Sequence, residues 1–207
     1  MTAPEATRLL RAAATAVEIP LRYAQLGSSL AVAALGGCQT FTEQVHHPRR
    51  DVCDAQAGTK FYYHAHRHGT REHGHFHLFH YVPGTSRYTH LAALSLDQRG
   101  QPMQWFTTNQ WVTGEEWRSA PDICELIAHF RVSTAGRFAP LARWLTAMVE
   151  LFAKDLFQLA HGRDQALERL TREHADCPLQ ELLRDQRIDI LSHTPADLRL
   201  VVGQLAR

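Results

Sequence analysis

The sequence predicts an α+β domain: an antiparallel β-meander sheet with helices packed on one face, preceded by an N-terminal helical pair and followed by a mainly helical half. Three observations carry this reading. Residues 1–39 show helix-capping and helix-stopping residues, residues 40–112 break into short alternating runs separated by turn formers, and from residue 113 apolar positions recur at three-and-four spacing. A chain of 207 residues, 44% hydrophobic and 21% charged, is long enough to bury one core, so 1–207 is read as a single domain. Lys and Arg number 22 against 21 Asp and Glu. That near balance argues against nucleic acid as a partner and against a polybasic membrane patch. The apolar stretch Leu30 to Leu35 is far shorter than the ~20 residues of a membrane span, so no membrane is expected either. Cys38, Cys53, Cys124 and Cys177 are widely separated and form no C-x-x-C pair, and a reduced, cytoplasmic chain follows.

At the N-terminus, Thr2-Ala-Pro-Glu5 combines a capping hydroxyl, an early proline and an acid at the third position. The first helix is expected to stop at Ile19-Pro20, and a second to run from about Leu21 to Gly36-Gly37. Five strands are then expected over Thr40–His46, Thr59–His68, His73–Val82, Thr89–Leu96 and Met103–Thr108. Their hairpin turns are read at Gly69–Glu72, Pro83–Ser86 and Asp97–Gly100. Thr113-Gly-Glu-Glu116 and Ser119-Ala-Pro-Asp122 look like two successive helix starts. A helix should cover about Pro121–His129. A longer one, Pro140–His161, carries Leu141, Trp144, Leu145, Met148, Leu151, Phe152, Leu156 and Leu159 as a core-facing stripe. A charged helix should follow over Arg163–Ala175, with a last short one capped at Thr194–Asp197.

Histidine is the unusual feature. Of 14 in the chain, eight fall between His64 and His90. On neighbouring strands, Phe61, Tyr63 and Ala65 form one apolar set and Gly74, Phe76 and Leu78 another. A one-residue slip would set apolar residues against histidines, so the core face selects the register that keeps the apolar sets together. His64, His66 and His68 then share a face with His73, His75 and His77, paired as 64 with 77, 66 with 75 and 68 with 73. Directly opposed Cβ atoms lie about 4.5–5.5 Å apart, from which two imidazoles reach one ion at ~2.0–2.1 Å. Six protonated rings on one patch would repel, whereas a divalent transition metal stabilises the neutral form. His64, His66, His73, His75 and His77 are accordingly the candidate metal ligands, on a solvent-facing side of the hairpin. Glu72 in the hairpin turn, His90 at the start of the next strand, and Glu115 beside Glu116 are the candidate catalytic groups. Trp105, Trp111 and Trp117 read as packing or rim residues.

Three resemblances bear on these residues. Gly58-Thr-Lys-Phe-Tyr-Tyr-His64-Ala-His66, with Glu72 beyond it, resembles the first half of a cupin metal motif, without the second half or the strands of that fold. His73-Gly-His75-Phe-His77-Leu-Phe79 is similar to the histidine-triad signature of nucleotide hydrolases and transferases, which implies His75 as nucleophile. Tyr62-Tyr-His-Ala-His-Arg67, Glu72-His-Gly-His-Phe-His-Leu-Phe79 and Phe106-Thr-Thr-Asn-Gln-Trp-Val-Thr-Gly-Glu-Glu-Trp117 together resemble an uncharacterised bacterial family of unknown function.

The function expected is that of a metal-binding protein with iron, zinc, copper or manganese at the histidines, working as a metalloenzyme on a small-molecule substrate. Zinc would activate water for hydrolysis, and iron beside two histidines and a carboxylate would suit cupin-like oxygen chemistry. The alternatives are a metal-free, histidine-triad-like phosphotransferase and a non-enzymatic metal buffer.

Overall fold

The computed structural model of the chain describes residues 2–38, 42, 45–64 and 71–205. Helix α1 spans Ala3–Gln25 and α2 Leu30–Ala34. Six strands follow the helical pair, β1 His47–Asp54, β2 Thr59–His64, β3 Glu72–Tyr81, β4 Tyr88–Asp97, β5 Pro102–Thr108 and, near the C-terminus, β6 Ile190–Pro195. Between β5 and β6 lie α3 (Gln110–Thr113), α4 (Ala120–Ala128), α5 (Ala139–Leu151), α6 (Ala153–Glu173) and α7 (Leu179–Leu182), and α8 (Leu198–Leu205) closes the described chain. The strands form one antiparallel sheet in the order β1-β2-β3-β4-β5-β6.

This is the expected α+β architecture. One face of the sheet, with Phe61, Tyr63, Phe76, Leu78, Leu94, Leu96 and Trp105, merges with Ala16, Ile19, Trp144, Leu145, Met148 and Phe152 of the helices into a continuous core. Ring contacts of 6.0 Å between Phe76 and Trp144 and 6.2 Å between Trp105 and Phe152 mark where α5 and the start of α6 meet it. All eight apolar positions expected as a stripe between Leu141 and Leu159 are buried. At Phe152 the chain leaves helical geometry (φ −99°, ψ 16°), so the single expected helix is two. The bend lets α5 pack along α1 while α6 crosses β5 and β6.

Several boundaries move for physical reasons. The run expected as a strand over Thr40–His46 lies partly outside the described residues, and its described members, Thr42, Val45 and His46, are not extended strand. The edge strand is instead His47–Asp54. β6 stands where the sequence pattern suggests a helix cap: Thr194 and Pro195 end a strand, and Asp197 caps the last helix through a 3.0 Å bond from the Leu200 amide. Thr113-Gly114 ends a helix, because Gly114 takes the left-handed conformation (φ 64°) that stops α3.

Pro20 does not split the N-terminal helix. Without an N–H, proline leaves the Ala16 carbonyl without its helical partner. The indole N–H of Trp144 donates to that carbonyl at 3.3 Å, and the helix runs on to Gln25. Trp144→Phe should therefore cost ~1–3 kcal/mol by orphaning a buried acceptor. In a Pro20→Ala background the restored backbone amide at that position takes the carbonyl back and the cost shrinks. A double-mutant cycle in urea unfolding reads the difference, and equal costs in both backgrounds would contradict this role.

Candidate metal centre

The second face of the sheet carries the histidines. In β2 and β3 the pairs are Phe61 with Leu78, Tyr62 with His77, Tyr63 with Phe76, and His64 with His75. The apolar sets stay together as expected, but the register differs by two residues from the expected pairing of 64 with 77. A two-residue slip keeps every side chain on its face, so face matching alone does not choose between the two. His66 and His68, and most of the turn between them and β3, lie outside the described residues.

Two bulges then decide which residues share the histidine face. At the first, Glu72 pairs with Asp97 and Gly74 with Leu96, so His73 is the extra residue. Glu72 is thereby the first residue of β3 rather than part of a turn. It turns to the histidine face, where its Oε1 lies 2.6 Å from His75 Nδ1 as a hydrogen-bond acceptor. His73 goes the other way: its Nδ1 meets the Tyr63 hydroxyl at 2.8 Å, and its ring lies over Tyr63. Among the described residues it is not in the group that could hold an ion. Gly74 makes this crossing possible. A Cβ there would lie 2.5 Å from the His64 carbonyl oxygen and 2.8 Å from the Tyr63 hydroxyl.

At the second bulge, Leu78 pairs with Ala92 and Phe79 with His90, leaving Leu91 as the extra residue. Regular pairing would turn His90 to the helical core. The bulge turns it to the histidine face, inside β4 rather than at its start, where its Nε2 lies 3.0 Å from His77 Nδ1 and its Nδ1 3.3 Å from Thr108 Oγ1. The amide of this bulged His90 donates to the Glu115 carboxylate. Glu115 is held by the segment after α3, whose Glu116 amide donates to the Tyr88 carbonyl at 2.8 Å.

The outcome is a group of three. His64, His75 and His77 each offer a ring nitrogen, and these atoms lie within 4.8 Å of one another, so the three could hold a metal ion. Ring centroids are 4.6 Å apart for His75 and His77, 5.7 Å for His64 and His75, and 6.2 Å for His64 and His77. Small ring rotations bring such nitrogens to the ~2.0–2.1 Å of a metal bond. Glu72 accepting from His75 Nδ1 places that ring's lone pair on Nε2. His77 Nδ1 lies 3.0 Å from His90 Nε2, and His90 Nδ1 lies 3.3 Å from Thr108 Oγ1; a metal on His77 Nε2 would require the proton on His77 Nδ1, which then donates its hydrogen bond to this chain.

This face is not open to solvent as expected. His75 and His77 are only 4% and 2% exposed, and His64 is half-buried. Tyr62, Phe79 and Phe106 share the face and pack on the imidazoles, with Phe106 5.0 Å from His75 and Tyr62 5.1 Å from His77. Burial, then the neighbouring imidazoles of His75, His90, His64 and His46, holds His77 well below the usual imidazole range. Burial first, then the Arg163 charge and His75, lowers His90 to about 3. Both rings are neutral at pH 7, the form that binds metal. The three tryptophans pack as expected: Trp105 is in the core, Trp111 donates to the Ile188 carbonyl at 2.8 Å, and the Arg163 guanidinium lies 4.1 Å over Trp117.

His46 stands outside the expected ladder. Its ring stacks on Tyr62 with centroids 3.6 Å apart and lies 6.2 Å from the ring of His64, and its Nδ1 is 3.2 Å from Asp51 Oδ1. In sequence it ends the run expected as the first strand, and no spacing links it to the hairpin.

Glu115 gives a pH signature. Burial pushes its carboxyl up to about 8, against the pull of the His90 amide, the Arg163 charge and the Thr113 hydroxyl. Between the unfolded value near 4.5 and about 8, the folded chain holds a proton that the unfolded chain releases. Its stabilising contribution is thus complete below the unfolded value and is lost as pH rises through about 8. Metal-free Glu115→Gln should gain stability relative to the parent between pH 5 and pH 8.5, read from urea midpoints. A difference that stays constant with pH would count against a protonated Glu115.

Comparison with curated proteins and with solved structures finds no match. A family model does match, over residues 10–196, which takes in the whole sheet and the three histidines, in keeping with the resemblance to a family without an assigned function. The chain belongs to the family described as Domain of unknown function (DUF6969).

Proposed function

We propose that the chain binds one divalent transition metal through His64, His75 and His77 and uses it as a metalloenzyme acting on a small-molecule substrate. The observation that carries this is the convergence of three imidazoles from two paired strands, two of them fixed from behind by Glu72 and His90. Metal-ligating histidines characteristically donate a hydrogen bond from their other ring N–H to such a partner. A donor set of imidazoles suits zinc, iron or copper better than manganese. Glu72 serves the centre by holding His75. All three donors rise from the same sheet face, and three protein ligands are the number that catalytic centres use beside a bound water or substrate. A metal so held supplies Lewis-acid activation of a bound water, or oxygen chemistry if it is iron. His75, the nucleophile implied by the histidine-triad resemblance, is enclosed by His77 and Phe106, which supports its service as a ligand. Cys38, Cys53, Cys124 and Cys177 are free thiols, which fits a reducing cytoplasm, and among the described residues no helix is long and apolar enough to cross a membrane.

Elemental analysis of protein purified without a histidine tag should find one metal per chain, and His75→Ala/His77→Ala should lose it while keeping the parent's far-UV circular dichroism. Glu72→Gln should retain the ion with affinity weakened about 10–100-fold. Stoichiometric metal in the double variant would refute the centre.

A further inference from the structure

Three histidines leave further positions around an ion to be filled. Among the described residues a fourth imidazole flanks the group: β1 pairs His47 with Tyr63, which sets His46 beside His64 at the β1 edge of the histidine face. His46 precedes β1, and its ring stacks on Tyr62 at a centroid separation of 3.6 Å with the planes 10° apart. Its centroid is 6.2 Å from that of His64, the same separation that relates His64 to His77 within the group of three. Its Nδ1 meets Asp51 Oδ1 at 3.2 Å, and the other oxygen of Asp51 takes the Lys60 ammonium at 2.9 Å. Asp51 thus backs His46 as Glu72 backs His75: a carboxylate on Nδ1 that leaves Nε2 with the lone pair. Unlike the other three, His46 is 45% exposed and sits on a segment outside the regular sheet, so its ring can move without repacking the core.

We infer that His46 is a fourth donor to the metal centre, one that reaches the ion from the β1 edge of the same face and rests on Tyr62 and Asp51 when withdrawn. This deepens the three-histidine reading and rests on it. A centre with one mobile ligand is closed with His46 bound and accessible with it withdrawn, so an incoming substrate would compete with a single imidazole rather than with the fixed three.

Cobalt(II) titration of the tag-free, metal-depleted chain tests this, because its visible absorption reports coordination number and ligand type. His46→Ala should bind cobalt at least about tenfold more weakly than the parent, with a weaker, shifted visible band, while Asp51→Asn loses about 10–100-fold without changing the ligand count. His46→Cys supplies the positive test, since a thiolate on the ion adds a sulfur-to-cobalt charge-transfer band in the near ultraviolet that the parent lacks. A His46→Ala variant with the parent's affinity and spectrum, or a His46→Cys variant without the new band, overturns the fourth donor and leaves the three-histidine centre standing. Undiminished binding in His75→Ala/His77→Ala overturns the centre, and this inference with it.

Discussion

The histidine face depends on two interruptions of the β3–β4 ladder. A strand with strict alternation would carry His73, His75 and His77 on one face and would turn Glu72 and His90 to the other. One extra residue at His73 and another at Leu91 reverse those assignments, bringing in a carboxylate and a fourth-strand imidazole and sending His73 to Tyr63. Bulges re-aim side chains by adding a residue to one strand only, and the ladder amide they leave over needs an acceptor. Glu115 is that acceptor for His90. The buried carboxyl of Glu115 is therefore connected, through the His90 amide and two imidazoles, to the proposed coordination sphere.

Burial gives the same arrangement its electrostatic character. Imidazoles this close would repel one another if charged, and the enclosed position of His77 and His90 keeps them neutral. Tyr62, Phe79 and Phe106 provide that enclosure from within the same sheet face. Those aromatics alternate with core residues along their strands just as the histidines do, and they are a legible sign that the face is packed. The imidazoles taken alone suggest a solvated surface.

Helical packing shows a comparable exchange of partners. Pro20 breaks a local rule, and the cost is met far along the chain by the indole of Trp144. Phe152 bends what periodicity reads as one helix, so that α5 lies along α1 and α6 crosses the C-terminal strands. Neither device alters the apolar stripe from Leu141 to Leu159, which is buried throughout.

Period-two alternation from Thr59 to Thr108 and three-and-four spacing from Leu141 onward were sufficient to determine the fold class, the β2–β5 meander and the identity of the core face, because side-chain direction follows directly from local backbone geometry. The same alternation marked His64, His75 and His77 as neighbours, which they are. Register, bulges and the edge strands were decided only in three dimensions. A two-residue slip costs nothing in face matching, an extra residue in one strand leaves no mark unless its partner strand is known, and β6 joins the sheet, and His46 the histidine face, from segments with no periodic tie to the hairpin. Long-range pairing set these features, and through them the ring nitrogens that face one another.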